Sequence, residues 1–296
     1  MRSMNLKKFK ARVCYLIVCL LTVCVLGVAV SQKVHAEPNQ PSFPVVCGMQ
    51  KLSDGVFVST GEYAKVNMGL IVSGDEAVII DTGLVYKGYT PNEALRVKQY
   101  IEENNLKLKY IFITHHHSDH DANLAMFQND DTVLYDPSNT KDAQLISFGD
   151  RTFKIIRTDG HFNDEHISIE LIKENIIFAG DVVTTCMPSA VAFEGNFKGL
   201  MPTLEMLRTG NYSVMVPGHG DIINSHEAIR LNLEYLKNVE KYVKRVIDDN
   251  GTLEDVLMIS LEDCIDNTEH FDMEDAQVIH EWNLETAYNE FLNENR

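Results

Sequence analysis

Seven consecutive residues, Thr114-His115-His116-His117-Ser118-Asp119-His120, constrain this chain more than any other stretch. They follow directly on the apolar run Tyr110-Ile111-Phe112-Ile113, so the polar string begins where a buried strand is expected to end. His115, His117, Asp119 and His120 offer imidazole nitrogen or carboxylate oxygen, the donors that borderline divalent metals take. Residues two apart point the same way in extended chain, which lets His115 and His117 hold one ion. Asp119 and His120, carried round the next turn, then face a second ion beside the first.

Further residues of the same chemistry stand at or near the ends of short β-like runs. Asp81 closes Ala77-Val78-Ile79-Ile80, His161 lies in Thr158-Asp159-Gly160-His161, Asp181 in Phe178-Ala179-Gly180-Asp181 and His219 in Val216-Pro217-Gly218-His219. The HxHxDH string with these landmarks in this order resembles the signature of the metallo-β-lactamase fold superfamily of metallohydrolases, over residues 47–245. The resemblance implies an α/β protein, a four-layer αββα metallo-β-lactamase-like sandwich with its metals at one rim and a C-terminal helical extension. It implies His115, His117 and His161 around a first ion, Asp119, His120 and His219 around a second, and Asp181 bridging them. Asp119 is the expected catalytic residue, orienting the attacking water. Asp81 is expected to steady the metal loop from behind the ligands. Two zinc ions (Zn2+) per chain are the expected cofactor, with iron and manganese left open.

The resemblance further implies hydrolysis of an ester, thioester, lactone or amide, a β-lactam among them, by a hydroxide shared between the ions. Zinc β-lactamases of the family carry Cys or a non-bridging residue at the position of Asp181, whereas glyoxalase-II-like and lactonase-like hydrolases keep the Asp. The latter branch is therefore favoured. A mono-iron persulfide dioxygenase-like oxidoreductase and a non-catalytic metal-binding module are the alternatives.

Residues 1–36 have another character. Arg2, Lys7, Lys8, Lys10 and Arg12 precede the apolar stretch from Val13 to Val30, and Val34-His35-Ala36 offers a small-residue cleavage site, the pattern of a signal peptide or, uncleaved, a membrane anchor. An exported location, secreted, periplasmic or at the cell surface, follows, with membrane contact only through this segment. Its removal takes away six basic and no acidic residues, so the net charge of −17 becomes −23. Phosphate backbones are bound by Lys and Arg clusters, so this balance excludes nucleic acid and leaves a small molecule as the partner. Only Cys47, Cys186 and Cys264 remain beyond this segment, too few and too widely spaced for a disulfide framework, and Cys186 reads as packing.

The remaining boundaries follow from composition. Residues 37–46, with three prolines, read as a linker, 47–245 as the catalytic domain and 246–296 as an acidic helical extension. Strands are expected at 55–58, 66–72, 77–80, 110–113, 133–135, 145–148, 152–157, 167–172, 176–178 and 213–216. Helices are expected from Pro91 with Thr90 as cap, over 121–128, over 199–209, from Ser225 as cap to Asn250, and over 274–292. His116 should point away from its ligand neighbours, and His166 competes with His161 as a ligand. His226, His270 and His280 are expected at the surface.

Overall fold

The computed structural model describes residues 41–86, 88–162, 165–191 and 194–294. The expected export segment therefore lies outside the described residues. Among those described, no helix is long and apolar enough to cross a membrane.

Two sheets form the middle of the molecule. The first has the order β1 (Val45–Val46), β2 (Met49–Ser53), β3 (Val56–Thr60), β4 (Asn67–Ser73), β5 (Glu76–Ile80), β6 (Lys107–Phe112), β7 (Val133–Tyr135). Its first five strands are an antiparallel meander, while β6 and β7 add in parallel. The second has the order β12 (Val214–His219), β11 (Ile176–Thr184), β10 (His166–Leu171), β9 (Arg151–Thr158), β8 (Leu145–Phe148), antiparallel except for β11 with β12. The last residues of the expected linker are thus not linker: Val45–Val46 pairs with β2, and Lys51 N–H donates to Pro44 O (2.8 Å).

Strand alternation assigns each apolar side chain to a layer. Ile71, Val78, Ile80 and Phe112 enter the space between the sheets, where Ile155, Ile167, Ile169 and Phe178 meet them. Leu70, Ala77, Ile79 and Ile111 face the other way, against Ala94 and Val97 of α1 (Asn92–Glu103). On the far side Ile177, Ala179 and Val183 of β11 pack on Leu200 and Leu204 of α3 (Phe197–Thr209) and on Leu236 and Val239 of α4 (Ser225–Asp248). Each fully buried Val, Leu, Ile or Phe among them contributes about 1.5–3 kcal/mol. The layers run helix, sheet, sheet, helix, the expected sandwich.

Local chemistry moved several element ends. Thr90 does not cap α1: Pro91 holds that position without a side-chain bond. Buried Glu93 instead turns back, its Oε1 accepting from Leu84 N–H (3.0 Å) and its Oε2 from Tyr89 O–H (2.9 Å), which ties down the loop after β5. The helix expected over 121–128 is the single turn α2 (Leu124–Phe127), because Asn123 spends its amide on Thr82 O (2.9 Å) and Leu84 O (3.3 Å). Asn224, one residue before Ser225, is the cap of α4; its Oδ1 accepts from His226 N–H (3.0 Å) and Glu227 N–H (3.3 Å). β11 continues past Phe178 because its pairing with β12 resumes after a bulge at Gly180. β12 tolerates Pro217 because it is an edge strand.

The acidic C-terminal segment is packed rather than peripheral. α5 (Leu253–Val256), α6 (Leu261–Cys264) and α7 (Met273–Glu294) bury Val256, Leu261, Ala276, Leu284 and Phe291 in the apolar layer under α4. α5 and α6 each open on a reciprocal cap, Thr252 with Asp255 and Ser260 with Asp263. His280, expected at the surface, is 3% exposed and belongs to a polar chain in this layer. Tyr235 O–H donates to its Nδ1 (3.0 Å), and its Nε2–H donates to Ile259 O (3.0 Å). Both ring nitrogens are used in the neutral form. Burial accordingly holds His280 below its ordinary value of 6.5. The unfolded chain then takes up a proton that the folded one refuses, so the stability from this ring is complete above about pH 6.5 and is lost as pH falls through the folded value. Urea midpoints at about pH 7.5 and about pH 5 should drop more on acidification in the wild type than in His280→Gln. Equal drops would contradict this.

Candidate metal centre

Three strand ends and one strand interior deliver one rim. Asp81 follows β5, the His115–His120 loop follows β6, Asp181 lies inside β11, and His219 closes β12. His161 arrives on the turn between β9 and β10. Asp81 adopts φ of 60°, a left-handed turn that an Asp tolerates, and this aims its carboxylate at the metal loop. Its Oδ1 accepts from Thr114 N–H (2.8 Å), and its Oδ2 faces Thr114 Oγ1 (3.0 Å) and His120 Nδ1 (2.9 Å).

The donor atoms converge in two groups. Those of His115, His117, His161 and Asp181 lie within 4.8 Å of one another, as do those of Asp119, His120, Asp181 and His219. Asp181 belongs to both. His117 Nδ1 stands 2.9 Å from His115 Nε2 and 3.2 Å from His161 Nε2. Asp181 Oδ1 is 3.1 Å from His120 Nε2, and its Oδ2 is 3.3 Å from His219 Nε2 and 3.5 Å from His161 Nε2. Asp119 Oδ2 is 3.1 Å from His219 Nε2.

The outward nitrogens explain why the inward ones are available. His161 Nδ1 faces Ala190 O (2.8 Å), His219 Nδ1 faces Ala64 O (2.6 Å), His120 Nδ1 faces Asp81, and His115 Nδ1 faces Thr114 Oγ1 (3.0 Å). Acceptors behind the rings hold a proton on Nδ1 and aim each Nε2 inward. Ring nitrogens and carboxylate oxygens gathered at these distances fit a cation between them, as the seven-donor set itself does.

Electrostatics separate the groups. Burial holds His115 well below its ordinary value and His161 down to about 4, so both imidazoles are neutral. Burial also opposes charge on His120 and His219, but Asp181, with Asp119 and for His120 Asp81 in support, outweighs it and raises both. Burial would push Asp181 and Asp119 up; the same two imidazoles outweigh it, and both carboxyls stay ionised. Two carboxylates in a buried pocket draw in positive charge, which a divalent cation supplies.

Other candidates fall outside the donor groups. His116 is exposed and pairs with Asp121 (3.0 Å). His166 opens β10 with Nδ1 on Thr158 Oγ1 (2.6 Å) and stacks behind His115, ring centroids 5.0 Å apart. Cys186 is buried, and burial pushes its thiol up to about 11, a packed group and no thiolate. Cys47, Cys186 and Cys264 are all free. Sequence reasoning missed Thr114, the carbonyls of Ala64 and Ala190, Phe162 against His117 (ring centroids 4.6 Å), and Glu194, whose Oε2 is 3.8 Å from His117 Nε2.

The model of the metallo-beta-lactamase superfamily matches residues 63–133. An atrochrysone carboxyl ACP thioesterase of Emericella nidulans is 27% identical, the match covering 80% of this chain and 84% of that protein. A hydroxyacylglutathione hydrolase of Saccharophagus degradans is 29% identical over 53% of this chain and 62% of its own length. The crystal structure of a metallo-beta-lactamase family protein from Thermus thermophilus superposes with a TM-score of 0.60 at 16% identity, covering 83% of this chain and 95% of that one. Residues 63–133 thus match the metallo-beta-lactamase superfamily model, the chain has that superfamily's fold, and the curated relatives it resembles include hydrolases.

Proposed function

We propose that this protein is an exported, binuclear zinc hydrolase that cleaves a thioester or a related ester or lactone of a small molecule. The observation that carries the reading is Asp181, whose carboxylate reaches both donor groups. His115, His117 and His161 would hold one ion, and Asp119, His120 and His219 the other. Bound as a pair, such ions bring the pKa of water down to about 7 and polarise a carbonyl. Asp119, ionised and 26% exposed in its side chain, accepts a hydrogen bond from the attacking water and aims its lone pair at the acyl carbon. Asp81 holds His120 and Thr114, and through Thr114 the ring of His115, so that the loop keeps its shape on loading. Export rests on residues 1–36, and a mature N-terminus at Glu37 in the exported fraction tests it.

Retention of Asp at position 181 and the thioesterase names among the relatives favour acyl thioesters over β-lactams. Charge narrows the class further. Glu194 stands beside His117, and residues 251–295 hold thirteen acidic residues and no Lys or Arg, so neutral or cationic acyl groups suit the site better than net-anionic glutathione conjugates with their two carboxylates. The test is turnover by the zinc-loaded mature chain of matched neutral and dianionic thioesters, lactones and β-lactams. A neutral thioester or lactone should lead on kcat/KM; loaded protein that hydrolyses none of them would refute the reading, as would one iron per chain with oxygen uptake.

A further inference from the structure

We infer that the C-terminal helix α7 positions His161, through two clamps that meet on either side of that ring. This rests on the reading of His161 as a metal ligand. The first clamp holds the carbonyl behind the ring. Ala190 O takes the His161 Nδ1 proton, and both neighbours of Ala190 are bound to one fully buried side chain of α7. Val191 N–H donates to Asn283 Oδ1 (2.9 Å), and Asn283 Nδ2–H donates to Ser189 O (3.0 Å). Ser189 N–H donates to Asn232 Oδ1 of α4 (2.8 Å), whose own amide binds Thr184 O (2.8 Å). The backbone on both sides of Ala190 is therefore pinned, and Ala190 O is held against His161.

The second clamp lies one residue before the ring. Gly160 sits under the first turn of α3, where a Cβ would stand 1.8 Å from Leu200 N, and Gly160 O accepts from Asn196 N–H (2.9 Å). That turn is capped from α7: Glu290 Oε2 accepts from Phe197 N–H (2.8 Å) and Oε1 from Lys198 N–H (3.1 Å). Asn283 and Glu290 are seven residues apart, two helical turns, and so share one face of α7. A helix outside the sandwich thus reaches His161 from both sides, while His120 and His219 are held by Asp81 and Ala64 without it. Asn283 and Glu290 are positioning residues for the first ion.

Cobalt(II) titration of the apo full chain against a competing chelator tests this. Asn283→Ala should weaken one of the two ions about 10- to 100-fold and leave the other within about twofold. Glu290→Ala, at a half-buried position, should weaken the same ion less, and it carries the test if Asn283→Ala does not fold. Val243→Ala, in the same apolar layer without a bond to the loop, should change neither ion. Combined with His161→Ala, the Asn283 change should add nothing further. Unchanged affinities, a loss shared by both ions, or additivity with His161→Ala would overturn the inference alone. Wild-type protein that binds no cobalt would overturn the reading of the site with it.

Discussion

Asp119→Ala should lower kcat by about 10²–10⁴-fold while the protein keeps its fold. Asp119 stands at the open side of the site, its side chain 26% exposed against 0% for His120 and 4% for His219, so its removal leaves no cavity in the core. Its carboxylate faces His219 Nε2 at 3.1 Å and His120 Nε2 at 3.9 Å. Those imidazoles keep it ionised against the pull of burial, which is the state that accepts a proton from water. Steady-state kinetics and far-UV circular dichroism check both halves. Wild-type turnover in Asp119→Ala would contradict the assignment, and a lost helix and strand signal would mean that the residue serves the fold.

Gly218→Ala should lower turnover by about 10²-fold or more, although Gly218 bears no functional group and offers no ligand. A Cβ there would stand 1.8 Å from Asp181 Oδ1 and 2.8–2.9 Å from the backbone at Gly180 and Asp181. Neither can yield cheaply, since β11 and β12 are paired along this stretch. The shared carboxylate must therefore move, and a displacement of about 1 Å is enough for a loss of this size. Ion content should fall in parallel. Retained activity with both ions bound would show that Asp181 need not stand where the two donor groups meet.

The donors themselves were legible in the chain, because His and Asp in an HxHxDH string after an apolar run admit few other uses. The layers were legible too, since alternation in β4 and β5 and helical spacing in α4 each assign a buried face. What orients the donors was hidden. Ala64 and Ala190 act through backbone carbonyls, which any residue carries, and only tertiary packing decides where they point. The cap at Ser225 was misplaced by one residue because Asn224 beside it is of capping type too, whereas at Thr90 the helix starts after Pro91, which holds the cap position without a side-chain bond. His280 read as a surface residue of an acidic helix, yet its partners Tyr235 and Ile259 come from segments 45 and 21 residues away. The length of β11 was hidden by Gly180, which reads as a strand end and is a bulge.

Metal analysis of the mature protein after zinc loading and gel filtration bears most directly on the paired-ion pocket. Two zinc ions per folded chain are expected, with one retained when His161 is replaced by Ala, because its partners on the other side of Asp181 remain. A single ion per wild-type chain, or none, would contradict the two-group arrangement, and no refinement of substrate could restore it.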